Sequence, residues 1–107
     1  MIKVNLLRFR GDGSKIFSGR EQGVRARNEL RLNALDDGEE EINIIIPKDT
    51  WSINSSFFGG LFESSIIKLT EQGFRKKYKF KMDDGSDLSS DLQQNVDEGI
   101  FEALNDI

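Results

Sequence analysis

The chain has 107 residues, which is enough for one domain and too short for two. Its net charge is −4. Cysteine and histidine are absent, which excludes disulfide bonds, zinc-finger spacings and catalysis by thiols or imidazole. The charge balance gives no general attraction to nucleic acid or to anionic membranes. We therefore expect a single domain over residues 1–107, cytoplasmic, with no signal peptide, no membrane segment and no cofactor.

The first third of the chain predicts a strand, a short extended segment and a helix. Residues 2–9 place apolar side chains at alternate positions, which favours a strand, and residues 15–17 are expected to be extended. Ser18 and Glu21 fit a capping box, in which each side chain bonds the backbone N–H of the other. A helix is therefore expected from there to about Leu35.

One glycine in this predicted helix carries information about packing. Glycine in a helix interior costs about 1 kcal/mol relative to alanine. Gly23 shares a stripe of small and apolar residues with Ala26, Leu30 and Ala34. We expect this stripe to pack closely on a neighbouring element.

The remaining elements follow from apolar patterning. Residues 41–46 lack clean alternation, which is typical of a central strand covered on both faces. Residues 54–56 precede a second helix, which Gly73 is expected to end. Residues 76–82 alternate, with the rings inward and the lysines outward. After residue 85 an apolar residue recurs every fourth position from Leu88 to Leu104, and Ile107 closes the stripe, which predicts a final helix.

The order of strand and helix, repeated three times, indicates an α/β fold with right-handed crossovers. We expect a mostly parallel or mixed sheet of about four strands with about three helices. The extended segment at residues 15–17 predicts one antiparallel pairing. Sites in open α/β sheets gather at the C-terminal ends of the strands, so three loops are expected there: residues 10–19, 48–56 and 83–90.

Two adjacent serines stand at the start of the second predicted helix. One hydroxyl is enough to cap a helix, a contribution of about 1 kcal/mol. A helix N-terminus also tolerates a phosphate, because its free N–H groups and the positive end of its dipole face that position. Ser55 and Ser56 therefore have two interpretations: a cap with one spare hydroxyl, or a phosphoacceptor.

The segment around these serines resembles the core of the STAS fold of sulphate-transporter and anti-sigma factor antagonist domains. An apolar strand at residues 41–46 leads to residues 53–62, Ile-Asn-Ser-Ser-Phe-Phe-Gly-Gly-Leu-Phe. In the bacterial anti-sigma factor antagonists, a hydrophobic strand leads to Asp-Ser-Ser-Gly-Leu at a helix start. The chain also resembles the STAS-like family of bacterial proteins, which often carry Ser-Ser-Phe here. Asn54 replaces the acidic residue of the antagonists' motif, and Phe57 with Phe58 replaces Gly-Leu.

This resemblance implies a STAS-like regulatory domain that is not an enzyme and that binds another protein. By position, Ser56 corresponds to the phosphoacceptor of the antagonists and Ser55 to the serine before it. The implied partner is an ATPase of the histidine-kinase type or a kinase of the anti-sigma factor type. The residues expected to bind that partner are Asn54, Phe57, Trp51, Asp12 and Arg20.

A row of arginines leaves another function open. Arg20, Arg27 and Arg31 fall on one side of the first predicted helix, where they form either a solvated face or an anion contact. With Ser55 and Ser56, Arg20 would form the anion site of a small enzyme or sensor that takes a phosphorylated or nucleotide ligand. The absence of histidine, cysteine and paired carboxylates disfavours an enzyme.

Lysines and turn residues receive structural interpretations. Lys77, Lys79 and Lys81 are expected to be exposed and to protect a strand edge. A single-stranded nucleic-acid surface would need rings beside the lysines, and here the rings point into the core. Residues 36–38 are interpreted as ordinary turn chemistry. Trp51 is either a local plug or an exposed interface anchor.

Overall fold

Strands and helices both occur along the whole chain, in an order that is not a simple alternation. The computed structural model describes residues 2–11 and 13–105. The strands are β1 (Ile2–Asn5), β2 (Ile16–Phe17), β3 (Ile42–Ile46), β4 (Ser52–Ile53) and β5 (Tyr78–Met82). The α-helices are α1 (Arg20–Glu29), α2 (Leu32–Asp37), α3 (Ser55–Lys77) and α4 (Ser90–Asn105), and a short 3-10 helix spans Leu7–Phe9.

Three parallel strands form the larger sheet, in the order β1-β3-β5. The central position of β3 and the edge position of β5 confirm the sequence predictions. β1 is shorter than the predicted strand at residues 2–9. The Asn5 side-chain oxygen accepts a hydrogen bond from the Leu7 N–H at 2.9 Å, and the chain turns there into the 3-10 helix.

Two short strands, β2 and β4, form a second sheet and also run parallel. The antiparallel pairing predicted for residues 15–17 is therefore wrong. Phe17 aligns with Ile53, inside the segment predicted as a loop at residues 48–56. The α/β class is confirmed, but the described residues form five strands in two sheets rather than about four in one, and four α-helices rather than three.

The helices cover one face of the larger sheet. Ile42, Ile44 and Ile46 are completely buried on that face. Asn43 and Ile45 alternate with them on the opposite face and are only partly buried. The prediction that this strand is covered on both faces is therefore wrong. The apolar run is continuous in sequence because Ile45 occupies the partly exposed face.

α1 crosses α3 at a point where each helix carries a glycine. A Cβ on Gly23 would lie 2.2 Å from the Phe57 carbonyl oxygen, and a Cβ on Gly60 would lie 2.2 Å from the Arg20 carbonyl oxygen. A side chain at either position would collide with the backbone of the other helix. The close packing predicted at Gly23 is confirmed.

Both ends of the first predicted helix differ from the prediction. Gly19, not Ser18, occupies the N-cap position at a φ of 89°, and no side chain bonds the helix start, so the capping box is wrong. Glycine reaches such a φ without steric cost. Arg31 takes a left-handed φ of 56° and separates α1 from α2. The single helix expected to reach Leu35 is therefore two helices.

α3 is longer than predicted and is kinked. Thr70 adopts a φ of 67° within it, and the helix continues past Gly73 to Lys77. Gly73 therefore does not end the helix, and the left-handed residue lies three positions earlier. Beyond the kink, Phe74 is fully buried and its ring lies 5.2 Å from the ring of Phe62.

The last strand follows the predicted alternation. The ring of Phe80 lies 6.1 Å from that of Phe58 in the core, which confirms the register predicted for β5. Lys77, Lys79 and Lys81 point the other way but are partly buried rather than exposed. Lys77 is held because its ammonium donates to two backbone carbonyls in residues 38–40, at 2.8 Å each.

α4 packs on α3 through the apolar stripe predicted for the final helix. Val96 and Ile100 are buried, and Gly99 admits the ring of Phe58, whose nearest carbon would lie 2.4 Å from a Cβ at that position. Ile107, predicted to close the stripe, lies outside the described residues.

Candidate functional site

The three loops predicted to gather at one end of the sheet do so. The Arg10 guanidinium donates to the Asp49 carboxylate at 2.6 Å and to the Thr50 hydroxyl at 3.0 Å. Lys48 forms an ion pair with Asp84 at 3.0 Å. The hydrogen bond from Arg10 also holds the pKa of Asp49 below its ordinary value. Charged side chains therefore tie the loop before β2, the loop before β4 and the loop after β5 together.

The start of α3 is capped by Asn54. Its side-chain oxygen accepts the Ser56 backbone N–H at 2.8 Å and the Ser56 hydroxyl at 2.5 Å. The prediction that Ser55 or Ser56 caps this helix is wrong, because the side chain of the preceding asparagine already satisfies the free N–H. Ser56 is exposed and Ser55 is half-buried, so a hydroxyl stays accessible at this corner, as predicted.

Arg20 lies across α3 beside these serines. A Cβ on Gly59 would sit 3.1 Å from its guanidinium, so Arg20 crosses the helix where the side chain is missing. The guanidinium donates to the Glu63 carboxylate at 3.1 Å. Since residues three or four apart share a helix face, Arg20 lies between Ser56 on one side and Glu63 on the other.

One cavity of about 230 Å³ joins these groups. Arg20, Ser55 and Ser56 line it, so the corner predicted from the sequence exists in the fold. Glu63 and Glu102 line it too, so two carboxylates face a single guanidinium. The charged side chains that line the cavity therefore sum to a negative charge, which disfavours binding of a free anion.

The other residues predicted to bind a partner have different outcomes. Phe57 is completely buried, with its ring 5.1 Å from that of Phe17, so its assignment to a partner surface is wrong. Its ring therefore packs in the core rather than on a surface that a partner could contact. Trp51 is 69% exposed, with the Lys15 ammonium 5.3 Å from its ring centre, and is therefore not a plug. Asp12 lies outside the described residues.

The sequence analysis missed a buried polar network beneath α1. Arg27, expected either on a solvated face or at an anion contact, is only 7% exposed and forms an ion pair with Asp36 at 2.7 Å. Asp36 is therefore not an ordinary turn residue. The Ser65 hydroxyl donates to Asp36 and accepts from Arg27, each at 2.8 Å. One feature of the sequence could have indicated this network: Ser65 occupies an otherwise apolar position of the second predicted helix.

A phenol completes this network. The Tyr78 hydroxyl donates to Asp36 at 2.5 Å. Burial, together with this bond to a carboxylate, raises the pKa of Tyr78 well above its ordinary value. The network fixes α1, α2, α3 and β5 to one another.

The remaining findings concern metals, membranes and relatives. Within residues 2–11 and 13–105, carboxylates are nowhere grouped so that three of them could hold a metal ion. None of the helices in that part of the chain combines the length and apolar character needed to cross a membrane. Comparison with protein-family models, with curated proteins and with solved structures gives no match. Membership of the STAS-like family therefore stays a prediction.

Proposed function

We propose that the protein is a non-enzymatic regulatory module that binds another protein through the start of α3 and is switched by a phosphate on Ser56. The observation that carries the proposal is the position of Ser56. Ser56 is exposed in the first turn of a long helix. Asn54, and not Ser56, caps that helix. Arg20 lies over Gly59, one turn further along the same face.

A phosphate at Ser56 has favourable and unfavourable neighbours at this corner. It would add about −1.5 to −2 charges at the positive end of the α3 dipole and within reach of a planar guanidinium. Arg20 would exchange Glu63 for the phosphate, because a doubly charged group accepts stronger hydrogen bonds from arginine than a carboxylate does. Glu63 and Glu102 would then face the new charge unpaired. The surface that a partner contacts therefore changes in both charge and shape.

The partner proposed is an ATPase of the histidine-kinase type, as the STAS-like resemblance implies. Trp51 supports a protein partner, since exposed tryptophans are over-represented among residues that carry binding energy. Trp51 lies two residues before Ile53. It therefore comes immediately before β4 in the chain, whereas Ser56 comes after that strand. Release on phosphorylation follows because the phosphate, Glu63 and Glu102 together would place excess negative charge in a desolvated interface.

A second candidate is a small sensor or enzyme that binds a phosphorylated or nucleotide ligand in the cavity of Arg20, Ser55 and Ser56. The cavity volume of about 230 Å³ favours it. The two carboxylates in the same cavity oppose it, and the chain contains no histidine or cysteine for catalysis. Binding of inorganic phosphate or ATP to the isolated protein, followed by NMR shifts of the Ser55, Ser56 and Gly59 amides, distinguishes this candidate.

A phosphorylation assay tests the proposal. Affinity-tagged protein is purified with the ATPase that accompanies it, the complex is supplied with γ-labelled ATP, and the modified residue is located by mass spectrometry. We expect the label on Ser56, its loss in Ser56→Ala, and its retention in Ser64→Ala, a control at an exposed serine of the same helix. Label on another residue, or the absence of any associated ATPase, would refute the proposal.

A further inference from the structure

The helix α4 turns one of its sides to solvent. Its apolar stripe packs on α3, and away from that stripe it carries exposed side chains at Gln94, Glu98, Phe101 and Asn105. Successive members of this set are three or four residues apart, so they follow one another along a single helix face. These four residues form the outer face of α4.

The charge of α4 is entirely negative. Among its described residues it has no lysine or arginine and four exposed carboxylates: Asp91, Asp97, Glu98 and Glu102. Of the four, only Asp97 has an ion-pair partner in the part of the chain that the structure describes, and that partner, Arg75, also pairs with Glu71. Arg20 shares a cavity with the last of the four but is paired with Glu63. Because each of these arginines brings a further carboxylate with it, an excess of four negative charges remains on and around α4.

Basic groups from β5 do not reverse this balance. Lys79 and Lys81 approach α4 at Gln93, with which they line a cavity. Lys81 is already paired with Asp87. With these lysines and their partner counted, the excess is still three negative charges.

The position of the carboxylates along α4 is also unfavourable for the chain by itself. The C-terminal end of a helix carries a partial negative charge, which a basic side chain in the last turn stabilises. The last described turn of α4 holds Glu102 and no basic residue, and Glu98 lies one turn earlier. A cation from another molecule would stabilise the helix end and these carboxylates together.

Phe101 adds an apolar group to this acidic surface. Its side chain is 67% exposed, although phenylalanine is one of the residue types most often buried. An exposed ring offers a partner an apolar contact and a face on which a guanidinium can stack. An apolar centre surrounded by charged groups is the usual pattern of a protein interface.

We propose that the outer face of α4 binds a basic segment of a partner protein, rich in arginine or lysine and carrying an apolar residue, independently of the switch at Ser56. Charge complementarity selects this occupant. The same charge opposes nucleic acid and anionic membranes, whose phosphates would face the carboxylates. It also opposes the pairing of two copies through this face, because glutamates would then lie against glutamates.

The test measures binding of a fluorescein-labelled oligoarginine peptide with one central leucine, by fluorescence anisotropy at physiological salt. We expect saturable binding that is about tenfold weaker in Glu98→Lys, because an attraction becomes a repulsion. Glu39→Lys is the matched control, since Glu39 is also exposed and forms no ion pair with a described residue, and it should bind as the wild type does. Phe101→Ser should weaken binding about tenfold, whereas Ile67→Ser, at an exposed apolar residue of α3, should not.

Several outcomes would overturn the inference. Equal loss of binding in Glu39→Lys would make the attraction nonspecific, and unchanged binding by Phe101→Ser would reduce it to charge alone. A dimer in light scattering that Phe101→Ser abolishes would assign the face to a second copy. If the charge-reversal variant fails to fold, Glu98→Gln replaces it, with Glu39→Gln as its control. Peptide-induced NMR shifts should fall on the amides of Gln94, Glu98 and Phe101, and shifts confined to the Ser56 corner would contradict the proposal.

Discussion

Gly23 of α1 and Gly60 of α3 face each other's backbones across one helix crossing. Each would place a Cβ 2.2 Å from a carbonyl oxygen of the other helix, near Phe57 in one case and at Arg20 in the other. The crossing therefore fixes the position along each helix axis at which α1 contacts α3. Since Arg20 begins α1, the same contact brings its guanidinium to Gly59 and places it beside Ser56.

The crossing predicts large effects from the smallest substitution. Gly23→Ala and Gly60→Ala should each lower the free energy of unfolding by about 1–3 kcal/mol, because the helices must separate to admit a methyl group. Gly38→Ala is the matched control, since its Cβ would lie 3.6 Å from the nearest atom. Urea denaturation measures all three variants. Wild-type stability of Gly23→Ala would contradict the close crossing.

The buried ion pair predicts a contrast between two neighbouring aspartates. Asp36→Ala should cost about 3–5 kcal/mol, because it leaves the Arg27 guanidinium buried without a counter-charge. Asp37→Ala should cost less than about 1 kcal/mol, because that side chain is 66% exposed and pairs with Lys68 at the surface. Chemical denaturation of both variants gives the comparison. Similar losses at the two positions would show that Asp36 is not the anchor of the network.

The single tyrosine predicts a distinctive alkaline titration. A tyrosine in an unfolded chain loses its proton near pH 10, whereas burial and the bond to Asp36 keep Tyr78 protonated in the folded protein. Its raised pKa therefore contributes stability that is complete below pH ~10 and is lost as the pH rises further. Because the chain has one tyrosine, phenolate absorbance reports Tyr78 alone. That absorbance should rise together with the loss of circular dichroism, and a rise near pH ~10 in protein that is still folded would contradict this account.

The cap assignment predicts which polar residue stabilises α3. Asn54→Ala should cost about 1 kcal/mol, because a backbone N–H then loses its acceptor. Ser56→Ala should cost less than about 0.5 kcal/mol, because its hydroxyl is not the cap. Thermal unfolding of the two variants decides between them. A larger loss for Ser56→Ala would return the cap to the serine.

Sequence patterning predicted what depends on local periodicity. The central strand, the inward rings of β5, the stripe of α4 and the packing role of Gly23 all follow from spacing along one element. The pairing of β2 with β4 does not, since two residues in each strand carry too little pattern to indicate a partner or a direction. The break at Arg31 was equally hidden, because nothing in the local sequence favours a left-handed arginine there.

The position of the candidate site could be predicted from the sequence. The contacts that its side chains make could be predicted only in part. The serine pair at a helix start and the arginine in a first turn indicated one corner, and the fold brings them into one cavity. Phe57 and Arg27 show the limit. Phe57 was assigned to a partner surface and Arg27 to a solvated face or an anion contact, but both are buried in the fold. The close packing of α1 on α3 joins Gly23 to Gly60, which are 37 positions apart, and no pattern within one element indicates which residues that packing covers.

Calorimetric titration of Ser56→Asp and wild-type protein with the proposed partner, an ATPase of the histidine-kinase type, tests the proposed switch most directly. Ser56→Asp should keep its folding stability within about 1 kcal/mol, because a carboxylate in the first turn favours the α3 dipole. The same variant should bind the ATPase more weakly by about 1–3 kcal/mol, because the charge is desolvated in the interface. Ser64→Asp, with the same charge elsewhere on α3, should bind as the wild type does. Equal binding by Ser56→Asp and the wild type would contradict the proposed switch.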